Sequence, residues 1–263
     1  EPDLEFPFER SGGKGNRVDR CEPQSAAARP DLYPADTGWD WIIGVTVTHR
    51  GMEDDKMREE EKIKEGILFC PGDPELKAIK LKTHKLNVDY NRTYEDEREK
   101  REEILAKMIG ELGKGSFIQG PVFFHYGQHT KIGKHFFGNF NLTIQDDAEV
   151  TIGDHCDFGP NVTIVTPVHP MLAEERKEMV TAEGEKKRLC YAKPVHIGNN
   201  CWLGASVTVC PGVTIGDDCV IGAGSVVTRD IPSGCFAAGV PCKVIRPLTE
   251  KDSMKYKPEV LAD

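Results

Sequence analysis

The chain has 263 residues, of which 26 are glycine and 8% are aromatic, and a formal net charge of −9. That balance excludes a nucleic-acid binder, whose phosphate contacts need concentrated Lys and Arg, and no apolar run approaches the length of a membrane span. High glycine with few aromatics suits an elongated, repetitive fold better than a single globular core.

Residues 1–51 come first. "RSGGKGNRVDRCEPQSAAARPDLYPADTG" is rich in Gly, Pro and charge and has no sustained period, which predicts a disordered or loosely attached tail. Its one apolar stretch is "WIIGVTV" at 41–47. No basic-then-apolar leader opens the chain, and a cytoplasmic location is expected.

Residues 52–112 predict a small helical subdomain. "EDDKMREEEKIKEG" reads as a charged first helix with a solvated face. "GDPELKAIKLKTHKLNVDYN" begins with Asp73 placed to cap a second helix, with Leu76, Ile79 and Leu86 on one face. "TYEDEREKREEILAKMIGEL" predicts a third, ending near Gly110–Gly113, with an apolar stripe of Ile104, Leu105, Met108, Ile109 and Leu112.

From Phe117 the pattern changes. Ile132, Gly138 and Ile144 are six residues apart; two extra residues follow, then Ile152, Phe158 and Ile164. After an interruption over 165–194, Ile197, Leu203, Val209, Ile215, Ile221 and Val227 keep the step of six. A helix repeats near 3.6 residues and a strand near 2, so neither period explains it. One short strand plus one corner takes six residues, and three sides close a coil. Stacked coils, about 4.8 Å apart, give a mainly β, triangular parallel β-helix of hexapeptide repeats over 113–248, with a C-terminal tail over 249–263. Glycine commonly follows the aliphatic, where its tolerance of positive φ suits a corner.

The nine cysteines are read against the same grid. Cys156, Cys201 and Cys219 each lie four residues past an aliphatic, as small inward fillers, and no CxxC pair has metal spacing. Reduced structural thiols are expected. The three N-x-T sequences, at Asn91, Asn141 and Asn161, the last two within the repeat region, are expected to be turn residues.

A prism names no activity, since it also serves rods, ice-binding arrays and zinc carbonic anhydrases. Of these, a zinc enzyme needs three converging ligands, and His129 and His135 have no third; no metal is expected. An ice-binding ladder needs one residue type every 18 positions, and Thr208 has Val226 and Cys190 there. More informative is the excursion over 165–194, too long for a neutral corner, with His169 at its base in "VHP".

Residues 57–248 resemble the maltose/galactoside O-acetyltransferase family of hexapeptide acyltransferases. The likeness rests on "LFCPGDPEL", "FGNFNLTIQDD", "TIGDHCDFGPNVTI", "VHP", "KPVHIGNNCWLGASVTVCPGVTIGDDCVIGAGSVVTRDIP" and "AAGVPCKVI". It implies a left-handed β-helix, acetyl-CoA as co-substrate, a sugar or glycoside acceptor and a homotrimer with sites between subunits. By the same resemblance His169 is the general base, while His125, Asn139 and Asp147 line the acceptor. Trp202, Ala205, Ala223, Thr228, Arg229 and Arg246 follow acetyl-CoA, with the Ala205 N–H as oxyanion donor. An antibiotic or amino sugar is the alternative acceptor. The sequence departs from the family pattern at His125 (usually Ser or Asp), Phe137 (Tyr), Cys190 (often Glu) and Lys80 (often Arg), and its loop is longer.

Overall fold

Short strands climb around three faces. A computed structural model describes residues 57–180, 184 and 186–261; the expected tail over 1–51, with "WIIGVTV", lies outside the described residues. The first face stacks Glu111–Leu112, Thr130–Ile132, Val150–Ile152, Val195–Ile197 and Thr214–Ile215, all parallel. The second begins at Phe117–Ile118 and ends at Cys235–Ala238, closed by the antiparallel strand Lys243–Pro247. The third runs from Val122–Phe124 to Val226–Val227. The repeat begins at Glu111, inside the stretch expected to end the third helix.

Each face sends one aliphatic column inward. Ile132, Ile152, Ile197 and Ile215 stack in register, as do Phe124, Ile144, Ile164, Val209 and Val227. All nine are buried. On the second face Gly138 leaves a gap that Phe136 enters, its ring edge-on to Phe158 at 5.0 Å. Cys156, Cys201 and Cys219 fill the corresponding corner in later coils, each a buried free thiol. Their Sγ atoms lie 3.1–3.2 Å from the carbonyls of Gly198, Gly216 and Pro232.

Glycine does a different job from the expected one. Positive φ falls three residues past the inward position, at His135, His155, Asn200 and Asp218 on one ridge and at Asn141, Asn161 and Ser206 on the next. The glycine directly after the aliphatic is needed for close approach: a Cβ on Gly198 would lie 2.4 Å from Asp217 Oδ1 and 2.6 Å from its nitrogen. The threonine reading also changes. Thr208 pairs with Thr163, and Thr163 with Thr143, a three-residue column hidden from an 18-residue count because coils below the loop are longer and the loop intervenes.

Helices α1 (Glu59–Lys64), α2 (Pro74–Asn91) and α3 (Arg98–Met108) close the first coil. Asp73 caps α2, accepting from the nitrogens of Glu75 and Leu76. The expected apolar face is only partly used, for α2 buries Leu76, Thr83, Asn87 and Tyr90. An open strand edge presents unpaired backbone groups, and polar side chains satisfy them here. Asn91 exchanges two hydrogen bonds with Val122, and Thr83 Oγ1 donates to the Tyr126 carbonyl at 2.6 Å. Buried Arg101 donates to the carbonyls of Ile118 and Gln119.

Candidate active site

All departures from the step of six stack on the ridge between the third and first faces. Phe124 to Ile132, and Ile144 to Ile152, each span eight residues between inward positions, whereas Val209 to Ile215 spans six. The extra length holds His125, Tyr126 and His129 in the first coil and Asp146 and Asp147 in the second. In the third coil the same ridge opens into the excursion 166–194, whose stem pairs Pro167–Val168 with Tyr191–Ala192.

These groups form one buried polar cluster. Asp146 is structural: Oδ1 accepts from the Tyr126 nitrogen and Oδ2 from Thr130 Oγ1, both at 2.8 Å. Asp147 is 3% exposed and its Oδ2 has no hydrogen bond among the described residues; the same holds for Tyr126 Oη and His129 Nε2. A buried group left unpaired costs about 1–3 kcal/mol; of the three, His129 Nε2 lies 3.8 Å from a Glu60 carboxylate oxygen. Burial pushes the Asp147 carboxyl up to about 6 despite nearby Lys80. Burial lowers Lys80 in turn; its ammonium donates to the Pro71 carbonyl at 2.7 Å and lies 5.5 Å from the centre of the Tyr126 ring.

The loop is anchored beside Asp147. Thr166 Oγ1 accepts from the Ala148 nitrogen and donates to the Gln145 carbonyl, both at 2.9 Å. Three residues on, His169 is exposed at the end of the stem. The other strand of the stem leads back to Cys190, which is 2% exposed and packs with Phe69, Leu76, Tyr126 and Ala148. Burial, with Asp147 beside it, pushes this thiol up to about 12.

The remaining sequence-derived residues lie elsewhere. Asn139, Ala205 and Ala223 fall on the ridge between the second and third faces, in successive coils above and below Gly159. The Ala205 N–H has no hydrogen bond among the described residues, while its carbonyl accepts from Gly224 at 2.8 Å. Trp202 stands outward on the second face, 56% exposed. Thr228 and Arg229 are exposed on the third-to-first ridge, away from the two alanines. Arg246 lies on the closing strand, its guanidinium paired with Asp252 at 2.6 and 2.9 Å. His129 and His135 sit at opposite ends of one strand and do not converge; His135 stacks on His155 at 4.8 Å.

The maltose acetyltransferase hexapeptide capping motif matches residues 62–113, and the bacterial transferase hexapeptide matches 194–229. Galactoside O-acetyltransferase of Escherichia coli is 46% identical over 199 residues, 74% of this chain and 92% of that protein. The chain belongs to the maltose/galactoside O-acetyltransferase family. Nodulation protein L of Rhizobium meliloti is 40% identical over 186 residues, covering 71% of this chain and 97% of that protein. A galactoside acetyltransferase solved in complex with coenzyme A superposes with a TM-score of 0.68 at 43% identity, covering 74% of this chain and 94% of that one. A maltose O-acetyltransferase from Clostridium difficile gives 0.67 at 39%, covering 74% and 99%. The prism is therefore the left-handed β-helix of hexapeptide acetyltransferases.

Two residues of this site carry no sequence signal as functional groups: Tyr126 on the ridge and His84 on α2 belong to no repeat column. Their only signal was position, within segments that break the step of six or precede it.

Proposed function

We propose that the chain transfers an acetyl group from acetyl-CoA to a hydroxyl of a sugar or glycoside by direct attack. The hydroxyl oxygen bonds to the thioester carbonyl carbon, and its proton passes to the His169 imidazole, a base suited to neutral pH. The oxyanion is met by the Ala205 N–H, a donor with no other partner among the described residues. The carbon–sulfur bond then breaks, and the departing thiolate takes the proton from His169. No enzyme nucleophile is needed. Asp147, with its unpaired buried oxygen, and His125 hold the acceptor on one ridge; Asn139 serves it from the other.

One observation carries this reading: the groups occupy two ridges of the same prism. His169, His125 and Asp147 belong to the third-to-first ridge, whereas Asn139, Ala205 and Ala223 belong to the second-to-third. One copy does not bring them together. A neighbour that places its unlike ridge against the first completes the site, and repeating that contact around a threefold axis closes a homotrimer. Trp202 borders the acetyl-CoA path, Thr228, Arg229 and Arg246 serve its nucleotide end, and Arg246 must release Asp252 to do so. Reduced thiols at all eight described cysteines fit a cytoplasmic enzyme.

The test is thiol release from acetyl-CoA over a panel of galactosides, maltose, amino sugars and aminoglycosides, with light scattering on the same sample. A hydroxyl-acetylated product from an active trimer is expected. An active monomer, or a product acetylated only on nitrogen, overturns the reading.

A further inference from the structure

A pair of imidazoles stands beside the acceptor groups, and one member has no part in the reaction above. His84 projects from α2 and His125 from the ridge, with His84 Nε2 at 3.2 Å from His125 Nδ1. Their rings lie 5.2 Å apart. Phe123 packs on His84 at 5.2 Å, and Tyr126 stands edge-on to His125 at 5.1 Å. The pair is therefore flanked by an aromatic ring on each side, and neither ring hydrogen-bonds to it among the described residues.

The contact at 3.2 Å needs one proton between two ring nitrogens. Burial first, and then the neighbouring Lys80 ammonium, lower both imidazoles, His125 to about 4. Lys80 and Tyr126 are the charged and titratable groups set against the pair, and no carboxylate bonds to either ring among the described residues. In a neutral pair the shared proton fixes the outer nitrogens. When His84 donates, His125 must carry its own proton on Nε2; when His125 donates, its Nε2 is a lone pair and His84 carries the proton on Nδ1. Neither outer nitrogen has another hydrogen bond among the described residues.

We propose that His84 is a positioning residue that acts through His125, locking the ring and tautomer with which His125 Nε2 meets an acceptor hydroxyl. The inference rests on the acetyl-transfer reading for what His125 touches. A fixed partner nitrogen distinguishes a sugar that places a hydroxyl opposite it from the deoxy analogue, which leaves the buried-side nitrogen unpaired. A serine or aspartate at position 125 would need no such support; an imidazole, with two tautomers and a freely turning ring, does.

Steady-state kinetics on the full chain, with the best sugar acceptor from the panel, test this together with long-range ¹H–¹⁵N spectra of the histidines. His84→Ala should raise acceptor KM about tenfold and leave acetyl-CoA KM within about twofold, and His84→Gln, whose amide still bonds Nδ1, should recover most of it. The spectra should show one His125 tautomer in the wild type and a mixture in His84→Ala. Unchanged acceptor KM in His84→Ala overturns the proposal, as does a fall in kcat that His84→Gln fails to rescue. A wild type that releases no thiol with any sugar removes the acetyl-transfer reading, and the tautomer spectra then decide the pair by themselves: a mixture in the wild type overturns it.

Discussion

Asn87 treats Phe124 as a neighbouring strand would. Its Nδ2 donates to the Phe124 carbonyl at 2.7 Å, and the Phe124 nitrogen donates to its Oδ1 at 3.0 Å. Both residues are buried, so an amide on a helix ends a parallel sheet that would otherwise expose its edge.

Asn87→Ala should therefore cost more than a surface change. It strands two buried backbone groups, each worth about 1–3 kcal/mol when unpaired. The expected loss is about 2–4 kcal/mol by urea unfolding, and Asn87→Asp should also be destabilising because it cannot donate to the carbonyl. A midpoint equal to wild type in both variants would show that water or a shifted helix closes the edge as well.

His169 is exposed at the end of the loop stem, so its removal should not disturb packing. His169→Ala should keep the wild-type melting temperature and lower turnover by about 10²–10⁴-fold, the range for loss of a general base. Near-normal turnover would take His169 out of the chemistry.

Asp147 should trade stability for activity. Its folded-state carboxyl, at about 6, lies above the ordinary value, so the folded protein holds a proton that the unfolded chain has released between about pH 4 and 6. The penalty of the buried charge is thus absent below pH 4, grows as pH rises through this window and is complete above it. Asp147→Asn should be more stable than wild type at pH 7.5, by at most about 3 kcal/mol, with the gain fading as pH falls to 4, and should lose most of its acetyl transfer. Equal melting curves at both pH values would mean that Asp147 is not held against its charge.

The two glycine roles separate by substitution. Gly198→Ala drives a Cβ into Asp217, and overpacking of this kind costs about 1–3 kcal/mol. Gly224 has φ +71° with nothing within 4 Å of a built Cβ, so Gly224→Asn should cost about 1 kcal/mol or less. Thermal melts in which Gly224→Asn proves the worse of the two would reverse the assignment.

The six-residue step determined by itself the three faces, the inward columns and the stacking of Cys201 below Cys219, because these follow from counting along one chain. It also located the two extra residues after Ile144 and the excursion with His169 at its base, but not the corner between Phe124 and Ile132, where the family resemblance alone supplied His125. What the count could not give is anything set by the approach of α2. Asn87 against Phe124, His84 against His125 and Lys80 beside Asp147 join residues about 40 or more apart, and no local period relates a helix to the coil end it closes. Glycine's role was misread for a similar reason: φ belongs to one residue, but the space for a Cβ is decided by the next coil. Last, the division of the site between two ridges is a property of the closed prism. Asn139 and Asp147 are eight residues apart in sequence, yet a strand of the third face stands between them, and only folding around the corners puts them on opposite edges.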